Sequence, residues 1–204
     1  MSAQTQKQLT KGAITLKGST ALVTEYFEYA INQILYLRGI YPEEDFKQTK
    51  ARGLFTHVTT DVELITYLQK ILTQVQQWLL EKKLSRLVLT INSRETRETI
   101  ERWQFNIVIE EGESSGDGEN DSRPTTKTEQ EINRELRDIM KQIVSTVTFL
   151  PSINEKCTFN ILVYTDRNIE VPTTWVDSDP HHVKNSEQVR LRSFSTDYHR
   201  VETM

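Results

Sequence analysis

The sequence predicts a single domain built from α-helices and β-strands. Three segments repeat apolar residues at the spacing of an amphipathic helix, and others alternate apolar and polar residues as strands do. The 204 residues are enough for one substantial core but too few for two comfortable domains. We therefore expect one mixed core of helices and strands.

The first helix is predicted to begin near Gly18 and Ser19, with Ser19 as its N-cap, and to end at Arg38 and Gly39. Pro42, shortly beyond, cannot continue a helix. Apolar residues cover most of the helix circumference, so this helix should be the most buried of the three. They are Leu22, Val23, Tyr26, Phe27, Ala30, Ile31, Ile34 and Leu37.

The second and third helices each open with a capping-box pattern. It is Thr60-Asp61-Val62-Glu63 in the second helix, and Thr128 with Glu131 in the third. Stripes of this spacing are typical of residues that pack in a core. The stripe of the second helix comprises Val62, Ile65, Leu68, Leu72, Val75 and Leu79. The stripe of the third helix comprises Ile132, Leu136, Ile139, Ile143 and Val147.

Strand signals occur on both sides of the third helix. Leu87, Leu89 and Ile91 alternate in one segment, residues 103–109 alternate in the next, and residues 94–98 would connect the two as an antiparallel hairpin. Residues 157–165 are apolar on both faces, which indicates a strand inside a sheet or one that pairs with something else. Only one modest strand signal follows, at residues 189–194.

Two segments show no regular pattern. Residues 110–126 are rich in Gly, Ser, Asp and Glu without apolar periodicity, and we interpret them as a mobile surface loop. From residue 166 the chain is largely irregular yet contains Trp175 and Phe194, which are residue types usually buried. Such a tail is either functional or loosely docked.

Composition argues against several classes of protein. The formal net charge is −4 and the basic residues are scattered, which argues against nucleic acid as a partner. No segment has the length and apolarity of a signal core or a membrane span. The single cysteine, Cys157, excludes an intramolecular disulfide and favours a reducing compartment.

No catalytic, cofactor or metal pattern is visible. The chain lacks a Gly-rich phosphate loop, a His-Glu-x-x-His pair and a nucleophile elbow. His181 and His182 are adjacent, so their side chains diverge and are a poor metal pair. Cys157 lies in an apolar strand, where an inert thiol is expected. We therefore expect no enzyme, no cofactor and no metal.

Six segments, in order along the chain, resemble the HORMA-domain spindle-checkpoint family. They are residues 14–19 (ITLKGS), 34–42 (ILYLRGIYP), 101–105 (ERWQF), 146–151 (TVTFLP), 159–166 (FNILVYTD) and 189–194 (VRLRSF), with 171–175 (VPTTW) between the last two.

The resemblance implies one HORMA domain over residues 1–204, with a core at about 14–165 and a mobile "safety belt" at about 166–204. The fold class would be α+β, with three long helices on a mostly antiparallel sheet. A partner peptide would add to the strand at residues 157–165 and be covered by the belt. The implied peptide-binding residues are Thr158, Phe159, Asn160, Ile161, Leu162, Val163, Tyr164 and Trp175.

The resemblance also implies partners and a switch between two states. The partners are a kinetochore coiled-coil checkpoint protein and the co-activator of the anaphase-promoting complex, in the nucleus, kinetochore and cytoplasm. An open–closed homodimer would form through Lys141, Gln142 and Phe149, although Lys141 lacks the planar fork of the arginine usual in the family. Leu16, Val189, Leu191 and Phe194 would move in the switch. The alternative is a sibling HORMA adaptor for translesion polymerase assembly or for the meiotic chromosome axis.

The end of the chain leads to a prediction about state. Family members carry a further aliphatic-aromatic stretch, whereas this sequence stops at Met204. We therefore expect the open arrangement, with residues 189–194 paired on the strand at 157–165, because too few residues follow Tyr198 to build a second strand elsewhere.

Overall fold

The computed structural model describes residues 14–110, 127–166 and 169–204, in which three α-helices accompany two antiparallel sheets. The predicted α+β class is confirmed, whereas the predicted loop at 110–126 lies, apart from Glu110, outside the described residues. The helices are α1 (Leu16–Leu37), α2 (Val62–Leu80) and α3 (Glu129–Val147). The strands are β1 (Phe46–Ala51), β2 (Leu54–Thr59), β3 (Leu84–Ser93), β4 (Thr99–Ile109), β5 (Cys157–Thr165), β6 (Ser193–Ser195) and β7 (His199–Thr203).

The central helix α1 begins earlier than predicted. Thr15 is its N-cap, and the Thr15 hydroxyl oxygen accepts a hydrogen bond from the backbone N–H of Gly18 at 3.1 Å. Ser19 was the wrong choice, because it lies inside the first turn and its buried hydroxyl contacts the C-terminal tail instead. The end is as predicted: Arg38 is the C-cap, and Gly39 has a φ of +62°.

The other two helices begin close to the predicted signals. Thr128 and Glu131 form the predicted capping box of α3. In α2 the N-cap is Asp61, whose side chain accepts a hydrogen bond from the backbone N–H of Leu64 at 2.7 Å, and the described residues do not form the reciprocal bond of a capping box. Val62 is 75% exposed, unlike the rest of the predicted stripe, because the buried residues of α2 start only at Leu64.

The main sheet has the strand order β5-β3-β4-β7-β6. The predicted hairpin is β3 and β4, with Leu89 opposite Trp103. Buried side chains of the helices and the sheet together form one hydrophobic core, which includes Phe27, Leu89 and Phe105. None of the helices in the described ranges is long and apolar enough to cross a membrane.

A separate hairpin of β1 and β2 was not predicted. Its strands are six residues each and mostly polar, so their alternation is too weak to indicate a half-buried strand. The turn residues Arg52 and Gly53 have φ values of 47° and 83°, as a two-residue type I′ turn requires.

The C-terminal tail lies on the opposite edge of the sheet from the one predicted. β7 pairs with β4, with Thr203 opposite Phe105 and His199 opposite Ile109, and β6 pairs with β7. The predicted open arrangement is therefore wrong for this structure. The residues after Tyr198 do suffice for a strand, the five-residue β7, because His199, Val201 and Thr203 alternate inward and are buried.

Candidate functional site

Strand β5 is the edge of the main sheet. One of its sides pairs with β3, from Leu84 opposite Thr165 to Ser93 opposite Cys157. Its other side has no strand partner in the described part of the chain. A strand with one unpaired row of backbone N–H and C=O groups is a template for adding another strand.

The two faces of β5 have different surroundings. Phe159, Ile161 and Val163 belong to the hydrophobic core or pack against it, as the predicted alternation requires. The ring of Phe159 lies edge-on to Tyr67 of α2, with a centroid distance of 5.8 Å, and to Tyr41 at 6.1 Å.

The opposite face of β5 carries Thr158, Asn160, Leu162 and Tyr164. The Arg86 guanidinium lies over the Tyr164 ring, 5.0 Å from its centroid. The seven residues 158–164 thus alternate between two faces, and what they share is the free backbone edge.

We call residues 169–192 the belt segment, which joins the end of β5 to the tail strands. Directly after β5, and before the belt segment, the backbone N–H of Asp166 donates to the carbonyl of Lys83 at 3.1 Å, beside the end of α2. Trp175 then packs on the buried Trp78 of α2, with ring centroids 5.1 Å apart and planes at 65°. This contact anchors the belt segment near the Thr165 end of β5.

A second set of contacts anchors the belt segment at the other end of the sheet. His181 Nδ1 lies 3.2 Å from the hydroxyl oxygen of Thr99, which is the first residue of β4. Lys184 forms an ion pair with Glu98 in the β3–β4 turn. Since Cys157 pairs with Ser93 just before that turn, the belt segment spans the length of β5.

Polar side chains of α3 hold the last part of the belt segment and β6. The Gln142 side-chain oxygen accepts the backbone N–H of Arg192 at 2.7 Å. The Glu135 carboxylate accepts the backbone N–H of Ser195 at 3.1 Å and pairs with Lys127 at 2.6 Å. Sequence analysis missed these contacts, because Glu135 resembles any solvated residue on a polar helix face.

The four predicted switch residues have different environments. Phe194 is fully buried in β6, whereas Leu16 and Leu191 are half-buried. Val189 is 52% exposed, although it lies in the segment that the sequence predicted to pair as a strand. The reason is that the ladder between the tail strands begins only beyond it, where the backbone N–H of Leu191 donates to the Thr203 carbonyl.

The three residues predicted for self-association do not share one environment. Phe149 is 86% exposed just beyond α3, and Lys141 is exposed on the helix. Gln142, by contrast, is half-buried and bonded to Arg192. Lys141 also lines an apolar groove of about 350 Å³ between α1, β2 and α3, together with Phe55, Met140 and Val144.

Titratable groups near β5 show structural rather than catalytic environments. Burial raises the pKa of the Cys157 thiol, and the nearby Glu155 carboxylate raises it further, so the reactive thiolate is disfavoured. Glu101 is bonded to Arg38 at 2.8 Å and to the Trp103 indole, and burial raises its pKa despite these partners. Across the described residues no three His, Cys, Asp or Glu side chains converge as metal ligands would.

Comparison with known proteins places these features in a family. The HORMA domain profile matches residues 19–199. The chain is 46% identical over 192 residues to the mitotic spindle checkpoint component mad2 of Schizosaccharomyces pombe, covering 92% of this chain and 91% of that protein. It is 44% identical over 191 residues to the human spindle assembly checkpoint protein MAD2A, covering 94% and 91%. A chain in a crystal structure of the mitotic checkpoint complex superposes with a TM-score of 0.80 at 46% identity, covering 91% of this chain and 96% of that one.

Proposed function

The chain belongs to the HORMA-domain family of spindle assembly checkpoint proteins, and on that premise we propose that it captures a partner peptide as an added strand on β5, under the belt segment. Its role lies in the spindle assembly checkpoint. The single observation that carries the capture proposal is the free edge of β5, which the tail leaves unpaired by docking on β4.

The two faces of β5 would contact different side chains of the peptide. Backbone hydrogen bonds to the free edge supply affinity, and alternate side chains of an added strand point to opposite faces. One set would meet the aromatic surroundings of Phe159, and the other would lie beside Leu162 and Tyr164. This arrangement favours an extended peptide with at least one bulky apolar side chain on the helix side.

The belt segment would govern release. It is anchored by Trp175 at one end of β5 and by His181 and Lys184 at the other. A peptide enclosed by these anchors cannot leave until at least one of them opens. The belt should therefore lower the dissociation rate constant far more than it changes the association rate constant.

The partners proposed are a kinetochore coiled-coil checkpoint protein and the co-activator of the anaphase-promoting complex. Binding the co-activator would restrain the complex and delay anaphase, with the protein acting as an adaptor without catalysis in the nucleus, at the kinetochore and in the cytoplasm. A closed copy would also pair with an open copy through the surface of α3 that contains Lys141, Gln142 and Phe149. The similarity to checkpoint proteins over most of the chain supports these assignments.

Tiled peptides from both proposed partners test the function. Extended segments of one region in each partner should bind, and cross-links from the peptide should map to β5 and the belt segment. In a binding peptide, N-methylation at every second residue should abolish binding, while the same modification one residue along should be tolerated, because only alternate N–H groups face β5. Strand addition would be refuted if the two N-methylated peptides bound with the same affinity, or if the cross-links were confined to α3.

The sibling-adaptor alternative is tested by the same experiment. Peptides from a translesion polymerase subunit and from a meiotic axis protein should fail to compete with the checkpoint peptides. The checkpoint assignment would be wrong if one of them bound more tightly than any checkpoint peptide.

A further inference from the structure

The docked tail contains one histidine that is completely removed from solvent. His199 is the first residue of β7, and none of its surface is exposed. Its Nδ1 lies 2.7 Å from the Ser19 hydroxyl oxygen of α1, and that oxygen lies 2.6 Å from the Thr196 hydroxyl. The three side chains join α1, the β6–β7 turn and β7 in one buried hydrogen-bonded chain.

The other ring nitrogen of His199 has no comparable partner. Nε2 is buried and makes no hydrogen bond of good geometry within the described residues. The group nearest to Nε2 is the Leu79 carbonyl, which can only accept, so we assign the ring proton to Nε2 and its interaction there is weak. In this tautomer Nδ1 accepts the Ser19 hydroxyl proton. A second proton would therefore create a buried cation without a counter-ion.

The surroundings disfavour such a cation. Burial lowers the pKa of His199, the Leu79 carbonyl partly offsets this, and the charge of Lys82 lowers the pKa again. Arg200, the next residue, points to the other side of β7 and lies 3.4 Å from Glu110. Besides Lys82, Arg200 and Glu110, the charged residues within three positions of Ser19, Leu79, Thr196 or His199 in the sequence are Lys17, Glu81, Asp197 and Glu202.

We propose that His199 makes the docking of the tail sensitive to protons: β7 docks on β4 only while the imidazole is neutral, and protonation releases β6 and β7. The direction follows from linkage. An exposed histidine has a pKa of about 6.5, so the docked tail has its full stability above that pH and loses it as the pH falls below. Each further unit of acidity favours the released tail by up to about tenfold, until the docked histidine itself accepts a proton.

The consequence for ligand retention rests on the proposed function. The belt segment continues directly into β6, and the backbone N–H of Leu191 donates to the Thr203 carbonyl. Release of β7 therefore removes the C-terminal anchor of the belt. Under the proposed function, local acidity would open the belt and speed the loss of a captured peptide.

The test needs no peptide. In the full chain, the resonances of residues 199–203 for docked and released tails are integrated by NMR between pH 7.5 and 5.0. The imidazole of His199 is followed over the same range. We expect the docked fraction to fall below pH 6.5, with the released-to-docked ratio rising about tenfold per unit at most. The matched variant is His199→Asn, whose side-chain oxygen can accept the Ser19 hydroxyl proton but cannot titrate; its docked fraction should not change with pH.

Each outcome decides the proposal. A docked fraction that is constant in the wild type, or that falls equally in His199→Asn, would overturn it. If His199→Asn fails to fold, the pKa of His199 measured by NMR in the docked wild-type tail decides the proposal. A pKa at or above that of free histidine overturns it, and a lower pKa supports it. Failure of peptides to bind would leave these results untouched and would count against the proposed function alone.

Discussion

The phenol of Tyr26 on α1 and the hydroxyl of Thr203 on β7 form a buried hydrogen bond of 2.7 Å. The Tyr26 ring also lies edge-on to Phe194 of β6, with a centroid distance of 5.1 Å, and to Phe105 of β4 at 5.8 Å. One side chain of the central helix thus contacts both tail strands and the strand on which they dock.

Tyr26→Phe should weaken tail docking selectively. The ring contacts remain, but the buried Thr203 hydroxyl loses its partner, which should cost about 1–3 kcal/mol. Amide hydrogen exchange of residues 199–203 measures the effect and should accelerate correspondingly. Tyr29→Phe is the matched control, because the Tyr29 hydroxyl makes no side-chain hydrogen bond in the described structure. Equal acceleration in both variants would mean that the Tyr26–Thr203 bond does not hold the tail.

Gln142→Ala should also loosen the tail, through the backbone of Arg192 rather than through the core. The lost hydrogen bond is exposed to solvent and between uncharged groups, so we expect the free energy of tail docking to fall by about 0.5–1.5 kcal/mol at most. Hydrogen exchange at Arg192 and Ser193 is the measurement. Lys141→Ala, one residue away and exposed, should leave that exchange unchanged. If both variants reduce self-association but neither alters exchange, Gln142 does not anchor the tail.

Trp175→Ala should shorten the lifetime of a captured peptide while changing the melting temperature of the free protein little. Trp175 is half-buried and packs from outside on the core residue Trp78, without belonging to the core itself. Stopped-flow dissociation of a fluorescent peptide measures the lifetime. Val176→Ala is the control, because Val176 is 85% exposed beside it. A large fall in melting temperature with an unaltered dissociation rate would assign Trp175 a purely structural role.

Phe159→Ala should lower the free energy of unfolding by about 2–3 kcal/mol. Replacing a fully buried aromatic residue with alanine lowers the free energy of unfolding by about 3–5 kcal/mol. The expected loss is smaller here because Phe159 is only half-buried between Tyr41 and Tyr67. Urea denaturation provides the value. Asn160→Ala, on the opposite and exposed face of β5, should stay within about 0.5 kcal/mol of the wild type. Comparable losses in both variants would show that the faces of β5 are wrongly assigned.

Elements with strong periodicity were predictable, and weakly patterned ones were not. The stripe of α3 and its capping box appear as expected, because a helix that packs by one face must carry apolar residues at that spacing. The start of α1 was misplaced by a turn, since Ser19 matches the preference for an N-cap yet binds His199 and Thr196. The β1–β2 hairpin was missed because its mostly polar strands form a sheet of their own.

By itself, the sequence determined the three helices, the β3–β4 hairpin, the strand at residues 157–165 and the family to which the chain belongs. It did not determine which edge of the sheet the tail would join, because β4 and β5 both present unpaired backbone groups and either would accept a strand. Only the tertiary structure decided this, by placing Ser19, Tyr26, Glu135 and Gln142 where each forms a hydrogen bond with the tail that is docked on β4. These polar partners are specific for the tail, but they lie far from it in sequence, and no local pattern shows that they converge.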